Sequence, residues 1–296
     1  MKNEKKFLYL ETAELDQDDT FSFAEYSSIG VGGSVKAAFY PKTIEETVTL
    51  VGALQRENVD FTVLGNATNV LPSDGDSESV VLSTKKLVGV EFDEDRVFAY
   101  AGTDTKTLLD ELEKHALSGA EFLEGIPATV GGAAYMNAGA LGRRLDEIVE
   151  SVLVYKGGKV QTLRKSDCAY AYKSSVFMND DAVILGVNFL LQASTPETVA
   201  EKRKACADTR KALPVGKSMG CVFKNPASVS AGKLIEGAGL KGFKIGGAYI
   251  SSKHANFIIN GGTATAKDIR SLINMIKSAV FSQYGIRLEE EIRYLR

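Results

Sequence analysis

Chemistry is most readily placed on a stretch that is nearly free of charge. From Gly119 to Gly142 the chain reads GAEFLEGIPATVGGAAYMNAGALG; six of these 24 residues are Gly, six are Ala, and Glu121 and Glu124 carry its charges. Small residues let another group approach the backbone, and glycine adopts turns with positive φ. Amides exposed in such turns hold an anion without Lys or Arg. The step Pro127–Gly132 is therefore a candidate cradle for something large and partly anionic, such as a dinucleotide diphosphate. The same composition also describes a seam where two elements pack closely, and the residues leave both readings open. A second candidate cradle is Gly65-Asn-Ala-Thr-Asn69, which follows directly on the strand-like FTVL. A plain loop is its alternative.

The charge distribution points the same way. Net charge is −3, yet residues 210–256 carry Arg210, Lys211, Lys217, Lys224, Lys233, Lys241, Lys244 and Lys253 against Glu236. That segment is +7 and the remainder −10. A local basic field in an acidic chain suits a small anionic ligand better than a nucleic acid; a solvated basic face is the alternative. Cys168, Cys206 and Cys221 are odd in number and form no CxxC pair, which suits a reducing cytoplasm. His115 and His254 lack the HxxxH spacing, so no metal site is expected. The charged N-terminus and its short run FLYL, which ends at Glu11, do not read as a signal peptide. No apolar run is long enough for a membrane span.

The elements that must position these residues follow in order. Ser28–Ser34 (SIGVGGS) precedes the strand-like VKAAFY, and Val35 stands where GxGxxG would need Gly, so a Rossmann fingerprint fails in order and spacing. Thr43 opens a helix with a capping box to Glu46 and a stripe of Ile44, Val48, Val51 and Leu54. Residues 79–101 alternate as strands. A helix after Thr103 and Asp104 buries Leu108, Leu109 and Leu112, with His115 as a packing residue beside them. Residues 151–191 read as strands, interrupted by Tyr170–Phe177. Ser194-Thr195-Pro196 opens a helix of weak apolar face, expected to connect domains. A last helix carries the stripe Ile269, Leu272, Ile273, Ile276 and Val280 and stops at Gly285, before a terminal strand RLEEEIRYLR. At 296 residues the chain has room for two or three domains, and the alternation of strands and helices argues for a mixed α/β architecture.

Eight motifs occur in one order: Ser28–Gly33, Gly65–Asn69, Gly119–Gly142, Tyr172–Phe177 (YKSSVF), Gly220–Pro226 (GCVFKNP), Ala231–Gly247 (AGKLIEGAGLKGFKIGG), Ser252–Asn260 (SKHANFIIN) and Leu288–Arg293 (LEEEIR). Together, over residues 22–296, they closely resemble the UDP-N-acetylenolpyruvoylglucosamine reductases, flavoenzymes that complete UDP-N-acetylmuramic acid for peptidoglycan. The chain is similar to the short type, which lacks an inserted tyrosine-bearing loop. The resemblance implies an α+β fold: a two-lobed FAD-binding domain of the vanillyl-alcohol-oxidase/PCMH type and a C-terminal α+β substrate-binding domain. The expected divisions are 1–88, 89–194 and 195–296, with the terminal strand returning towards the active site.

By the same resemblance the flavin diphosphate would rest on amides of Gly65, Asn66, Ala67, Thr68 and Asn69, and of Pro127, Ala128, Thr129, Gly131 and Gly132. FAD would be held without a covalent bond, since no His precedes position 115 to form the histidyl link known in related folds. NADPH would be the co-substrate and a UDP-linked enolpyruvyl sugar the substrate, met by Tyr172, Asn225, Lys241 and His254. No nucleic acid or membrane insertion is implied, and the setting is cytoplasmic. Hydride delivery to an enolpyruvyl double bond builds charge on the neighbouring carbon and carboxylate, which a cation and a carboxylic acid must hold and a proton donor must quench. In the family these are Arg, Glu and Ser. Glu291 matches the Glu, whereas Lys173 stands for the Arg and Cys221 for the Ser. Lys keeps the charge but loses the bidentate fork, and a thiol is a stronger acid than a hydroxyl. Two further readings accompany this one: a flavin- or UDP-sugar-binding relative with altered or lost reductase activity, and a flavin oxidoreductase for another nucleotide-linked alkene.

Overall fold

A computed structural model describes residues 15–227 and 229–295. The FLYL run, and the acidic lead-in as far as residue 14, lie outside the described residues. Strand β1 (Val35–Phe39) leads to helix α1 (Ile44–Arg56) and then to β2 (Phe61–Leu64), β3 (Val70–Pro72) and β4 (Ser77–Ser83). Next come β5 (Val90–Asp93), β6 (Arg96–Tyr100), α2 (Thr105–Lys114) and α3 (Val130–Met136). Strands β7 (Val149–Lys156), β8 (Lys159–Arg164) and β9 (Val183–Leu190) precede α4 (Pro196–Arg210). The remainder is β10 (Lys217–Cys221), α5 (Ala231–Gly237), β11 (Ala248–Ile250), β12 (Phe257–Asn260), α6 (Ala266–Tyr284) and β13 (Arg293–Leu295).

Two compact units share these elements. The first takes the described residues through Asp19 with Ala37–Asn66 and Ser79–Arg210; the second takes Thr20–Lys36, Ala67–Glu78 and the chain from Lys211 on. These bounds differ from the divisions expected at 88 and 194, most of all for α4. Arg203 of α4 is held by Asp110 (2.8 Å) and Glu113 (2.7 Å) of α2 and by Glu124 (2.7 Å), and Lys202 donates to the Ser118 hydroxyl at 2.8 Å. The expected connector is thus docked by ion pairs within the first unit, with Val199 its one buried residue.

In the first unit α1 begins where the Thr43 hydroxyl accepts the Glu46 N–H at 3.1 Å. The Glu46 carboxylate reaches the Lys42 N–H, one residue beyond the cap. Its Leu50, Val51 and Leu54 pack with Phe39, Val80 and Leu82 of a sheet ordered Gln17–Asp18, β1, β4, β2. A five-stranded antiparallel sheet, β8-β7-β9-β6-β5, carries α2 and α3. In the second unit, β10-β12-β11 and the short strand Lys244–Ile245 form a sheet against the apolar stripe of α6. Three devices fix α6. Thr265 and Asp268 form a reciprocal capping box, the Asp74 carboxylate accepts the Ala266 and Lys267 N–H groups at 2.6 and 3.0 Å, and Gly285 ends the helix at φ 67°. Among the described residues no helix is long and apolar enough to cross a membrane.

Candidate active site

In the first unit, β2 runs into Gly65 and Asn66. A Cβ at position 65 would strike the Thr129 hydroxyl, so only glycine fits there. Asn66 Nδ2 donates to Asp104 Oδ1 at 2.6 Å. Asp104 and Thr129 face each other in a short antiparallel bridge closed by Val130 N–H to Thr103 O (2.8 Å) and Thr105 N–H to Ala128 O (2.9 Å). In a pair of that kind the N–H groups of the two facing residues point away from the ladder. Beside them is a cavity of about 500 Å³, lined by Asn66, Lys85, Gly89, Gly102, Thr103 and Asp104 among others.

The remaining amides of Pro127–Gly132 are spent inside the protein. Ala128, Val130 and Gly131 donate to the carbonyls of Ile126, Thr103 and Ala101, and Gly132 to the Thr129 hydroxyl at 3.2 Å. Gly131 is there for closeness: a Cβ would lie 3.0 Å from that of Ala101. The amide nest expected over this segment is therefore not what it forms. α3 is the packing seam, and Thr129 presents its N–H at the edge. The two carboxylates of the stretch also have structural work. Glu121 is buried, accepting from the Ser118 hydroxyl and the Gly119 N–H, and Glu124 holds Arg203.

The other end of α3 positions the turn with Tyr172 and Lys173. Ala171 and Ser174 exchange both backbone hydrogen bonds, at 3.1 and 3.2 Å, around these two residues. Lys173 sits at φ 52°, a conformation that costs a side-chain-bearing residue on the order of 1 kcal/mol. The turn is held regardless: Asn137, the left-handed cap of α3, donates to Ala171 O at 2.9 Å, and the Ser175 hydroxyl donates to Tyr135 O at 2.6 Å. Tyr172 is exposed.

The second unit holds Ala67 (φ 49°), Thr68 and Asn69. Ser28, from the SIGVGGS segment, donates its N–H to Ala67 O at 3.3 Å and its hydroxyl to Ser218 O at 2.6 Å. Asn260 Nδ2 braces the Ile29 carbonyl at 2.9 Å. The segment is thus a strut between the turn after β2 and strand β10. β10 slips its register against β12 between Ser218 and Cys221, and Gly220 is at φ 71°. Beyond Cys221 the chain pairs with the Glu run: Glu291 N–H donates to Val222 O at 2.8 Å, and Lys224 N–H to Glu289 O at 2.9 Å. Cys221 and Glu291 are thereby brought to neighbouring rungs. The Asn256 side chain bonds both the N–H and the C=O of Phe223, at 2.9 and 2.8 Å, fixing the strand between them. The two acids that precede Glu291 are ion-paired, Glu289 with Lys224 (2.5 Å) and Glu290 with Lys277 (2.8 Å).

Three of the expected substrate residues gather around α5. Asn225 Oδ1 accepts the Ala231 N–H at 3.0 Å, fixing the start of the helix. Lys241 pairs with Glu236 at 2.6 Å. His254 Nδ1 accepts the Asn256 N–H at 3.2 Å, which places a neutral ring's proton on Nε2. Burial, helped by the Lys241 charge, holds this imidazole below its ordinary range. Gly232 makes room for it, since a Cβ would lie 3.1 Å from the ring. Tyr172 and Lys173 belong to the first unit.

Cys168 closes a short 3-10 turn; it is fully buried, and burial pushes its thiol up to about 11. His115 stacks on Phe92 with ring centroids 3.7 Å apart, a packing role as expected. Among the described residues no cluster of His, Cys, Asp or Glu could hold a metal ion. Asp104, Asn137, Ser175 and Asn256 escaped sequence reasoning. Only Asn137, an Asn closing a helix of small residues, left a local signal.

Residues 211–295 match the family model described as UDP-N-acetylenolpyruvoylglucosamine reductase, C-terminal domain, and residues 35–164 match an FAD binding domain. The chain is 37% identical to the UDP-N-acetylenolpyruvoylglucosamine reductase of Petrotoga mobilis, across 97% of this chain and 96% of that one. It is 39% identical to the enzyme of the same name from Thermosipho melanesiensis, across 90% and 91%. Among solved structures it is similar to the UDP-N-acetylenolpyruvylglucosamine reductase of Thermus caldophilus, with TM-score 0.80, 30% identity, and coverage of 96% and 99%.

Proposed function

Because the chain belongs to the UDP-N-acetylenolpyruvoylglucosamine reductase family, we propose that it reduces the enolpyruvyl group of UDP-N-acetylglucosamine enolpyruvate to give UDP-N-acetylmuramate for peptidoglycan. The observation that carries this reading is identity maintained across nearly the whole of both chains. NADPH is the reductant, and bound FAD supplies the hydride chemistry. The residues of the first unit fit that group: the Gly65 cradle under Thr129, the outward N–H groups of Asp104 and Thr129, and the adjoining cavity with Lys85 on its wall. Gly65–Asn69 and the Pro127–Gly132 edge would hold it non-covalently.

The substrate's uridine diphosphate end falls to Lys241, His254 and Asn225, in the segment of net charge +7, with Tyr172 against the sugar. Reduction adds a hydride to the terminal methylene carbon and a proton to the carbon that bears the carboxylate. Lys173 and Glu291 hold the charge that grows on that carboxylate. Cys221 breaks its S–H bond to supply the proton, and the thiolate regains one from solvent. The hydrogen bond from Glu291 N–H to Val222 O, one residue from Cys221, brings the two segments together and supports this reading. Three free thiols suit a reducing, cytoplasmic setting.

The test is Glu291→Gln. Its flavin should still be reduced by NADPH at the parent rate, while reoxidation by the enolpyruvyl substrate slows on the order of 10²–10³-fold, the usual loss for one group that stabilises developing charge. Equal losses in the two half-reactions would contradict the role given to Glu291.

A further inference from the structure

Glu291 is held through both of its peptide groups. Its N–H donates to Val222 O at 2.8 Å, one residue beyond Cys221. Its C=O accepts from Asn69 Nδ2 at 3.1 Å. Asn69 then accepts the Arg293 N–H on its own carbonyl at 2.9 Å, so one residue brackets the segment 291–293 with side chain and main chain together. The parallel pairing of β3 with β13 begins at the next residue, with Val70 opposite Arg293.

The chemistry at position 69 is specific. An amide donates to a carbonyl at this reach. A carboxylate of the same shape would set acceptor against acceptor, and Ala would take the donor away altogether. A glutamate carboxyl lies at the end of three rotatable bonds, so its place depends on where the backbone beneath it is fixed. A misplacement of about 1 Å in a reacting group costs up to about 100-fold in rate.

We propose that Asn69 is a positioning residue for Glu291: by tying the Glu291 carbonyl to the turn that follows β2, it fixes the acid against the Cys221–Val222 step. The inference rests on the function given to Glu291 above. It goes beyond a role for Asn69 in holding the flavin, because it assigns the side-chain amide to the protein's own acid.

The experiment is a double-mutant cycle in the flavin-loaded enzyme: Asn69→Ala and Asn69→Asp, each alone and combined with Glu291→Gln. Alone, and with each variant brought to full flavin content by added FAD, reoxidation by the enolpyruvyl substrate should slow about 10- to 100-fold more than reduction by NADPH does. In the Glu291→Gln background the same change should cost less than about twofold, because the acid it positions is gone. Amide hydrogen exchange gives a readout apart from turnover: the Glu291 and Arg293 N–H groups should exchange faster in Asn69→Ala, while those of β11 and β12 hold. Losses that multiply in the double variant, a slowing of reduction by NADPH as large as that of reoxidation, or unchanged exchange at 291 and 293 would each overturn the proposal. If Glu291→Gln alone leaves reoxidation untouched, the functional reading fails and this inference falls with it. Multiplied losses on an impaired Glu291→Gln enzyme would sink this inference alone.

Discussion

In the proposed mechanism Cys221 brings a thiol to the place of the family's hydroxyl, which makes the proposed proton donor open to chemical labelling. Its two counterparts are poor competitors for an alkylating reagent: burial pushes the Cys168 thiol up to about 11 and raises that of Cys206 as well, and thiolate is the reactive form. Alkylation near neutral pH should therefore fall on Cys221, abolish turnover and be slowed by bound substrate. Cys221→Ser should remain active, and Cys221→Ala should accept electrons from NADPH yet reduce substrate poorly. Full turnover by Cys221→Ala would assign the proton to another donor. His254 gives a pH test. Its folded-state pKa lies below the ordinary value of about 6.5 because the ring is half-buried, so the unfolded chain takes the proton first. The stability contributed by the neutral ring is fully present above about pH 6.5 and is lost as pH falls through the folded value. His254→Gln should flatten part of the acid-side fall in Tm, measured by circular dichroism. Parallel Tm curves for the two proteins would contradict the half-buried neutral ring.

At the scale of elements, the features legible in the sequence were those fixed by neighbours along the chain. Thr43 and Gly285 cap helices, and the stripes of α2 and α6 bury the residues their spacing indicates. What stayed hidden depends on partners far away. The amides of Val130 and Gly131 are satisfied by Thr103 and Ala101, which composition cannot reveal, so the cradle and the seam were indistinguishable. Asn69 and Glu291 are 222 positions apart. The weak apolar face of α4 suggested a connector because its adhesion is ionic, through Arg203. Removing that hub in Arg203→Met leaves Asp110, Glu113 and Glu124 without it. The loss is set at about 2 kcal/mol, below the figure for fully buried pairs because the three carboxylates are partly exposed. A urea midpoint equal to that of the parent would show that α4 docks by other means.

For the whole molecule, the family resemblance read from eight motifs is matched by relatives along nearly the full chain. The division into units was the least legible feature, because segments 20–36 and 67–78 join the second unit through backbone pairing rather than through sequence order. The charge reading was coarse too. The segment of net charge +7, in which Glu236 is already counted, also spends Lys224 on Glu289 beyond it, so its field on a ligand is weaker than the count implies. The central claim is that electrons pass from NADPH to an enolpyruvyl sugar nucleotide on this chain, and one anaerobic titration tests it most directly. The protein, purified yellow or reconstituted with FAD, is bleached with one equivalent of NADPH, and UDP-N-acetylglucosamine enolpyruvate is then added without oxygen. The account predicts that the visible flavin absorbance returns in full and that UDP-N-acetylmuramate forms in equal amount; flavin that stays bleached until air is admitted would contradict it.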